Sequence, residues 1–307
     1  MIFTTLLALS LSTVVNASDS SGNSTVSSES RIKREQVDES SSNKKFEDAR
    51  VLIDPKLRAD DGSLSRYSLK FNLSYYGPTL DDLSAKDQPN PDNVVGSRET
   101  ALGGSMAARY RLSPTQTLSL GTGLRAVYPL HGIERFDLNN PYLYYDITTR
   151  VGRLQMRNSP GISVVTLPAF REAGQYAGLS FFNSFMYDFP NTSLAVGLET
   201  NFSYYLFSRD YERGDGRLSS YNISFSPTLR YRFSERLNIS TSYGLNLWNP
   251  RGHEDRFALH NRTPTQNLGI GYALTKEIFL NPYIYFYPNR ISADGTTLNF
   301  AAIFSVL

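Results

Sequence analysis

The sequence contains no cysteine, one tryptophan and three histidines among its 307 residues. Without cysteine, the chain has no thiol nucleophile, no disulfide and no thiolate ligand for a metal ion. The chain has only three imidazoles, those of His131, His253 and His260, that could bind a metal ion or assist a nucleophile. A formal net charge of +2 gives no reason to expect nucleic-acid binding. These shortages predict a protein that is not an enzyme, with no catalytic residues, no metal site, no cofactor and no nucleic-acid partner.

Long apolar runs are also missing after the beginning of the chain. The first segment, MIFTTLLALSLSTVVNASDS, is apolar to about Val15 and then carries the small-residue pattern Val15-Asn16-Ala17. This layout is typical of a secretory signal peptide that is cut before Ser18. No later stretch approaches the roughly 20 apolar residues that a membrane-spanning helix needs. The sequence therefore predicts a signal peptide over residues 1–17 and excludes a helical membrane protein.

Residues 18–64 are rich in serine and in charges of both signs, and Phe46 is their one aromatic residue. Such a segment buries too little apolar surface to offset the entropy lost on ordering. We predict a flexible periplasmic tail with a short helix near residues 44–52. The tail also carries Asp54, Asp60 and Asp61 shortly before the strands begin.

From Ser65 onward, apolar and polar residues alternate. In YNISFSPTLRYRF, residues 221–233, one set of alternate residues is mostly aromatic and aliphatic, and the other is Asn, Ser, Ser, Thr, Arg and Arg. A period of two is the mark of a β-strand with one apolar and one polar face. The same pattern predicts about twelve strands, near residues 66–76, 101–112, 117–128, 141–154, 161–168, 175–188, 193–207, 219–233, 237–248, 265–275, 278–287 and 296–306.

The connections between these predicted strands fall into two alternating classes. Short polar turns are SPTQ after Leu112, RNSP after Met156, PNT after Phe189, SER after Phe233 and TKE after Leu274. Longer polar loops follow the other strands, with the short REAG as an exception. Short turns at one end and long loops at the other are the layout of a transmembrane β-barrel.

A soluble β-sandwich shows the same alternation, so strand length and the position of aromatic residues distinguish the two folds. Soluble strands average about five or six residues, whereas several of these runs keep their phase for twice that length. Tyr and Phe gather at the strand ends, as in the aromatic girdles of membrane barrels. An even number of strands also closes the sheet without an edge in lipid. We therefore predict an all-β fold, a single antiparallel transmembrane barrel of about 12 strands over residues 65–307.

Over residues 65–307 the chain resembles Gram-negative outer-membrane β-barrel proteins. The resemblance is carried by the blocks RYRLSPTQTLSLGTGL, RYRFSERLNISTSYGL and GYALTKEIFLNPYIYF, and by the terminal TLNFAAIFSVL, which ends in Leu307 where such families usually have an aromatic residue. It implies an outer-membrane location, contact with outer-membrane lipid and insertion by the barrel-insertion machinery. Members of similar size include narrow channels for acidic oligosaccharides or nucleosides and an outer-membrane phospholipase.

Strand parity predicts which side chains line the lumen. The ladder Tyr283, Tyr285 and Tyr287 shares the inward face of the eleventh strand, and Asp146 and Glu199 are the acidic lining residues. Guanidinium groups bind carboxylates or phosphates in bidentate fashion, and phenol rings can stack on sugars. We predict a narrow channel for small anionic solutes, such as an acidic sugar or a nucleotide-like molecule. The predicted basic lining residues are Arg66, Lys70, Arg109, Arg111, Arg125, Arg150, Arg230 and Arg232.

Several alternatives stay open. The lumen arginines could form structural ion-pair networks, and the acidic tail could plug or gate the barrel. The long loops, such as SRDYERGDGRLS, could instead make a non-conducting barrel that binds partners at the cell surface.

Two chemical alternatives rest on one loop. A lipid hydrolase would use His260 and Asn261 in ALHNRTP, although no serine holds a convincing partner position there. A metal site in GHEDRFALH would use His253, Glu254, Asp255 and His260. That segment lacks the i, i+4 histidine pair of helical zinc motifs.

Overall fold

The computed structural model describes Phe46 and residues 51–93, 99–208 and 218–306. The predicted signal peptide, the tail up to residue 50 apart from Phe46, most of the loop SRDYERGDGRLS and Leu307 lie outside these residues. In the described part of the chain, no helix is long and apolar enough to cross a membrane. The elements are α1 (Pro55–Asp61), β1 (Tyr67–Thr79), β2 (Ala101–Ser113), β3 (Gln116–Val127), β4 (Arg135–Leu138), β5 (Tyr142–Val151), β6 (Leu154–Val164), α2 (Pro168–Glu172), β7 (Gln175–Asp188), β8 (Leu194–Phe207), β9 (Ser219–Arg232), β10 (Leu237–Pro250), β11 (His260–Asn261), β12 (Thr265–Ala273), β13 (Ile278–Phe286) and β14 (Thr297–Val306).

Twelve of these strands form a closed antiparallel barrel, and the short β4 and β11 extend it beside β3 and β10. Each barrel strand pairs with its neighbours along the chain, and β14 returns to pair with β1. At this seam Phe71 lies opposite Phe304, and their rings stack with centroids 5.0 Å apart. Closure leaves no unpaired edge in the barrel wall. The predicted single barrel of about twelve strands is confirmed.

The hairpin between β5 and β6 lies elsewhere than predicted. The chain turns at residues 152–153, where Gly152 adopts a φ of +59° that favours glycine. The segment RNSP, predicted as the turn, is instead part of β6. This shift brings Arg157 into the interior, 2.7 Å from Asp146. It also makes the next connection, residues 165–174, a longer loop that contains α2 instead of the short REAG.

The outward face of the barrel is apolar. On β9, Phe225, Leu229 and Tyr231 are 38%, 48% and 44% exposed, while Arg230 between them is only 3% exposed. Aliphatic side chains such as Leu120 on β3 are similarly exposed. A closed barrel with apolar side chains outside and polar ones inside is the arrangement of a transmembrane barrel.

Aromatic rings mark the end of the barrel that carries the short turns. Pairs of rings meet there with centroids 5.1 to 5.4 Å apart: Tyr67 with Tyr110, Tyr187 with Phe189, and Tyr231 with Phe233. Rings with a polar tip are favoured at the interface between lipid and water. The short-turn end of the barrel therefore has the predicted girdle.

The last part of the predicted tail lies inside the barrel. Residues 51–64, which we call the plug segment, contain α1 and follow an extended course on either side of it. Leu52 and Leu57 pack against Met186 and Ala195 of β7 and β8. On the other side, Ala59 packs against β12 and β13 through Ala273 and Phe279. Because the partners lie on strands around the wall, the segment fills the lumen at this end.

This position differs from the predicted flexible tail over residues 18–64. The helix α1 begins at Pro55, and Asp54 caps it by accepting the Leu57 N–H at 3.0 Å. Most of the predicted helix near residues 44–52 lies outside the described residues. Composition alone suggested disorder because residues 18–64, taken together, are rich in serine and in charge. The barrel interior supplies the missing apolar contacts and the partners for its charges.

Candidate functional site

The interior of the barrel is divided into two parts with different chemistry. The half near the short turns is occupied by the plug segment. The half near the long loops contains a cavity of about 1060 Å³, which we call the vestibule. Its wall includes Tyr76, Gln88, Pro89, Asn90, Pro91, Asp92, Glu99, Arg125, Arg135, Asp137, Asn139, Leu167, Pro168, Phe170, Asn246, Arg262, Thr263, Thr265, Tyr283, Tyr285, Tyr287, Thr297 and Asn299.

Two arginines of β9 hold the start of the plug segment. Arg230 donates to the carboxylate of Asp54, and Arg232 lies 3.7 Å from the same carboxylate and also pairs with Asp188. Asp54 is fully buried. Burial raises the pKa of Asp54, but Arg230, the Leu57 N–H and Arg232 outweigh it, so the pKa lies below its usual value. The carboxylate is thus held ionised inside the barrel.

Gln155 of β6 binds the backbone just before α1. Its side-chain oxygen accepts the N–H of Ile53 at 2.7 Å and that of Asp54 at 2.8 Å. Its amide nitrogen donates to Asp188 at 2.9 Å. Sequence reasoning missed Gln155 because the misplaced turn obscured the phase of β6.

Two arginines of β2 hold the end of the plug segment. Arg111 donates to the carbonyl oxygens of Asp61 at 2.9 Å and Ser63 at 3.0 Å, and pairs with the Asp61 carboxylate at 3.2 Å. Arg109 donates to the Asp61 carbonyl and to the hydroxyl of Ser119 at 3.3 Å. Arg109 is only 3% exposed and Arg111 only 2%.

Two lysine pairs complete the contacts of α1. Lys70 of β1 donates to the Asp60 carbonyl at 2.7 Å and pairs with its carboxylate at 3.2 Å. Lys56 of the helix reaches Glu199 of β8 at 2.6 Å. Burial raises the pKa of Asp60, but Lys70, Arg157 and Lys56 outweigh it and lower the pKa overall. The wall therefore supplies the cation of one pair, Lys70 with Asp60, and the carboxylate of the other, Lys56 with Glu199.

We expect the seating of the plug segment to weaken in acid. A carboxyl whose pKa is lowered in the folded protein stabilises it above the unfolded pKa, about 3.9 for Asp, and loses that effect as pH falls through the folded value. Asp54 and Asp60 both behave in this way. A spin label at Ile53→Cys, on a side chain that is 46% exposed, should be immobile near pH 7 and gain mobility below about pH 4.

A label at Ser292→Cys in the loop between β13 and β14 is the matched control. Its mobility should not follow the same transition. Equal changes at both labels would mean that acid unfolds the barrel, and no change at Ile53→Cys down to the point of unfolding would contradict the expectation.

Two of the predicted lining residues do not join this interior network. The guanidinium of Arg66 donates to the Tyr110 hydroxyl at 2.8 Å, within the aromatic girdle. Arg150 is exposed beside the β5–β6 turn and donates to the Gly152 carbonyl at 3.0 Å. Both lie at strand ends, where the wall no longer separates inside from outside. The interior network therefore lacks these two predicted lining residues and includes Arg157, which was not predicted.

The predicted tyrosine ladder faces the vestibule. Tyr283, Tyr285 and Tyr287 line it together with Tyr76 from β1. The rings of Tyr285 and Tyr287 meet edge to face with centroids 5.8 Å apart. The Tyr287 hydroxyl donates to the Pro89 carbonyl at 3.0 Å and so ties the β1–β2 loop to the cavity wall. The Tyr287 hydroxyl is thus structural, and Tyr283 and Tyr285 stand beside it on the cavity wall.

The charges of the vestibule are balanced. Arg125, a predicted lining residue, pairs with Glu99 at 3.1 Å, and Arg135 pairs with Glu99 at 2.8 Å and with Asp137 at 3.1 Å. Arg262 stacks on Trp248, 4.9 Å from the ring centroid. Three guanidinium groups and three carboxylates stand on the wall, namely Arg125, Arg135, Arg262, Asp92, Glu99 and Asp137.

The histidine loop forms a small aromatic cluster. The ring of His260 lies 5.8 Å from Trp248 and 5.4 Å from His253. The N–H of Asp255 donates to Nδ1 of His253 at 3.2 Å, and Asp255 accepts the N–H of Phe257 at 2.9 Å. Within the described ranges there is no group of three histidines or carboxylates able to hold a metal ion. These contacts make local turns and ring stacking.

No protein-family model matches the sequence, and no curated protein is significantly similar to it. Solved structures with a similar fold include an outer membrane channel from Pseudomonas putida F1, at 12% identity and a TM-score of 0.49, covering 80% of this chain and 98% of that one. The NanC porin has 8% identity and a TM-score of 0.43, and the match covers 78% of this chain and 100% of the porin. The KdgM porin in complex with disordered oligogalacturonate has 8% identity and a TM-score of 0.41, and the match covers 78% of this chain and 99% of the porin. The fold itself is a closed antiparallel barrel of 12 strands. Likenesses this low do not extend to function.

Proposed function

We propose that the protein is an outer-membrane channel for small anionic solutes, closed in the present state by its own plug segment. The observation that supports the proposal is the seat of that segment. Three carboxylates of the segment pair with cations of the wall: Asp60 with Lys70, Asp61 with Arg111, and Asp54 with Arg230. If the segment leaves, these three cations lose those partners.

The wall behind the plug segment is basic on its own. Arg109 retains Asp146 at 3.8 Å, and Arg232 retains Asp188. A ring of uncompensated cations in a narrow passage attracts anions. The wall cations in contact with this zone are Lys70, Arg109, Arg111, Arg157, Arg230 and Arg232, and the wall acids are Asp146, Asp188 and Glu199.

The width of the barrel is compatible with a narrow passage. Barrels of about eight strands are filled by side chains, and those of about 16 to 18 leave a wide aqueous channel. Twelve strands lie between these limits. In this barrel, a backbone segment and its helix occupy the space that a narrow solute path would use.

The test is the ion selectivity of a chain that lacks residues 18–64, measured as a reversal potential across a planar bilayer with a salt gradient. We expect a preference for anions. The triple variant Lys70→Gln, Arg111→Gln and Arg230→Gln should lose most of this preference, because three positive charges leave the constriction. The change should be larger at low ionic strength, where charges are less screened.

The matched control is Arg236→Gln, which removes an equally charged side chain from the exposed β9–β10 turn. It should leave the selectivity unchanged. The hypothesis of an anion channel would be refuted if the shortened chain preferred cations, or if the control and the triple variant changed the selectivity equally.

A second candidate is a non-conducting barrel that binds partners at the cell surface. The fit of the plug segment favours it, since Arg109 and Arg111 bind backbone carbonyls of that segment from buried positions. On this interpretation the arginines form a structural network and the functional surface is the loop end of the barrel.

A further inference from the structure

The vestibule combines aromatic faces with room for a ligand. Its volume of about 1060 Å³ is at the upper end of the range for small-molecule sites. The half-buried rings of Tyr283 and Tyr285 stand on one wall. Rings arranged in this way offer apolar faces to a flat or ring-shaped ligand.

Two side-chain amides in the wall have no bonding partner among the described residues. Asn139 lies beside β3, where its backbone N–H donates to the Gly123 carbonyl at 2.8 Å and leaves its side chain free. Asn246 of β10 pairs with Ser224 of β9 in the sheet, and its backbone carbonyl accepts the N–H of Arg262 at 2.9 Å. An amide supplies two donors and an acceptor, which suits ligand hydroxyl groups.

The balance of charge decides what kind of ligand fits. Glu99 already binds Arg125 and Arg135, and Asp137 binds Arg135 as well. Without breaking these pairs, an anionic ligand would find only Arg262, which stacks on Trp248, and each further negative charge would either break a pair or remain uncompensated, which is costly. An uncharged ligand rich in hydroxyl groups has neither cost.

We propose that the vestibule binds an uncharged saccharide, with sugar rings against Tyr283 and Tyr285 and hydroxyl groups on Asn139 and Asn246. The site goes beyond the proposed channel, because it is complete while the plug segment closes the other end of the lumen. The same chemistry could arrive as a free oligosaccharide or as the headgroup of a glycolipid.

The full chain, with its plug segment, is the protein to test, purified in a detergent without a sugar headgroup. Trp248 is the one tryptophan of the chain and contacts Arg262 of the vestibule wall, so its fluorescence reports on the cavity. We expect maltotriose to change this fluorescence saturably, and an acidic trisaccharide with a carboxylate on each ring to bind more weakly. A parallel titration with dodecyl maltoside tests a lipid-borne saccharide, which would bind more tightly than maltotriose if the glycolipid is the natural source.

Tyr283→Ala and Tyr285→Ala should each weaken binding about 3- to 10-fold, because an aromatic contact is removed. Tyr283→Phe keeps the ring and should bind almost as the unaltered chain does. Tyr231→Ala, on the outward face, is the matched control and should have no effect.

Tighter binding of the acidic trisaccharide, no binding of any saccharide, or equal binding by the Tyr→Ala vestibule variants and the unaltered chain would overturn the proposal. These results are independent of conductance. A barrel that never conducts but binds maltotriose would refute the channel and retain the site.

Discussion

A chain lacking residues 18–64 is expected to conduct in a planar lipid bilayer, whereas the full chain is expected to stay closed. The physical reason is that α1 packs against two separate parts of the wall, through Leu57 against β7 and β8 and through Ala59 against β12 and β13. Ion pairs at Asp54, Asp60 and Asp61 hold it in that position. The expected difference is all or none, because the segment occupies the lumen itself.

The matched control is a chain lacking only residues 18–50, which retains the whole plug segment. It should remain closed like the full chain. Far-UV circular dichroism and resistance of the barrel to detergent unfolding should show that both shortened chains are folded. Two silent chains would refute the channel, while two equally conducting chains would show that residues 51–64 are not its gate.

Asp54→Ala is expected to weaken the seating of the plug segment by about 3 to 5 kcal/mol, the usual cost of leaving one partner of a buried ion pair alone. Arg230 is only 3% exposed, so the guanidinium left without its carboxylate stays largely buried. The variant also removes the cap of α1, which adds to the loss. Amide hydrogen exchange measures the effect directly, through the N–H groups of Arg58 and Gly62, which bond within the segment.

Two comparisons make this result specific. The double variant Asp54→Ala with Arg230→Ala should recover part of the loss, since no unpaired guanidinium remains. Asp294→Ala removes a partner of Arg290 from an exposed pair, 3.8 Å apart, in the β13–β14 loop and should leave the exchange of the plug segment unchanged. Protection that survives Asp54→Ala would show that the ion pair does not hold the segment.

Much of the barrel could be predicted from alternation because each wall residue contacts either the surroundings or the lumen. In β9, exposed Leu229 and buried Arg230 follow the pattern residue by residue. The pattern failed between β5 and β6, where a two-residue turn at Gly152 leaves almost no polar loop to recognise. That error hid Gln155 and Arg157 from the predicted lining.

The lumen shows the limit of sequence reasoning more clearly. Parity placed cations such as Arg109 and Arg230 on the inward face, but it could not show that their partners come from residues 51–64. Those contacts join residues far apart in the chain, as in Asp54 with Arg230, and no local pattern records them. The balance of charge in the vestibule depends likewise on Glu99, which precedes β2 and meets β4 through Arg135.

The amino-acid sequence by itself determined that this protein is a barrel with an apolar outside, because a period of two assigns every residue of a long strand to one face. Only the tertiary structure decided what the inside is. Closure of the wall brings distant charges within hydrogen-bonding distance, so a segment with the composition of a disordered tail gains enough partners to fill the lumen. Five of the eight basic lining residues predicted from parity contact the chain's own plug segment in this state, namely Lys70, Arg109, Arg111, Arg230 and Arg232.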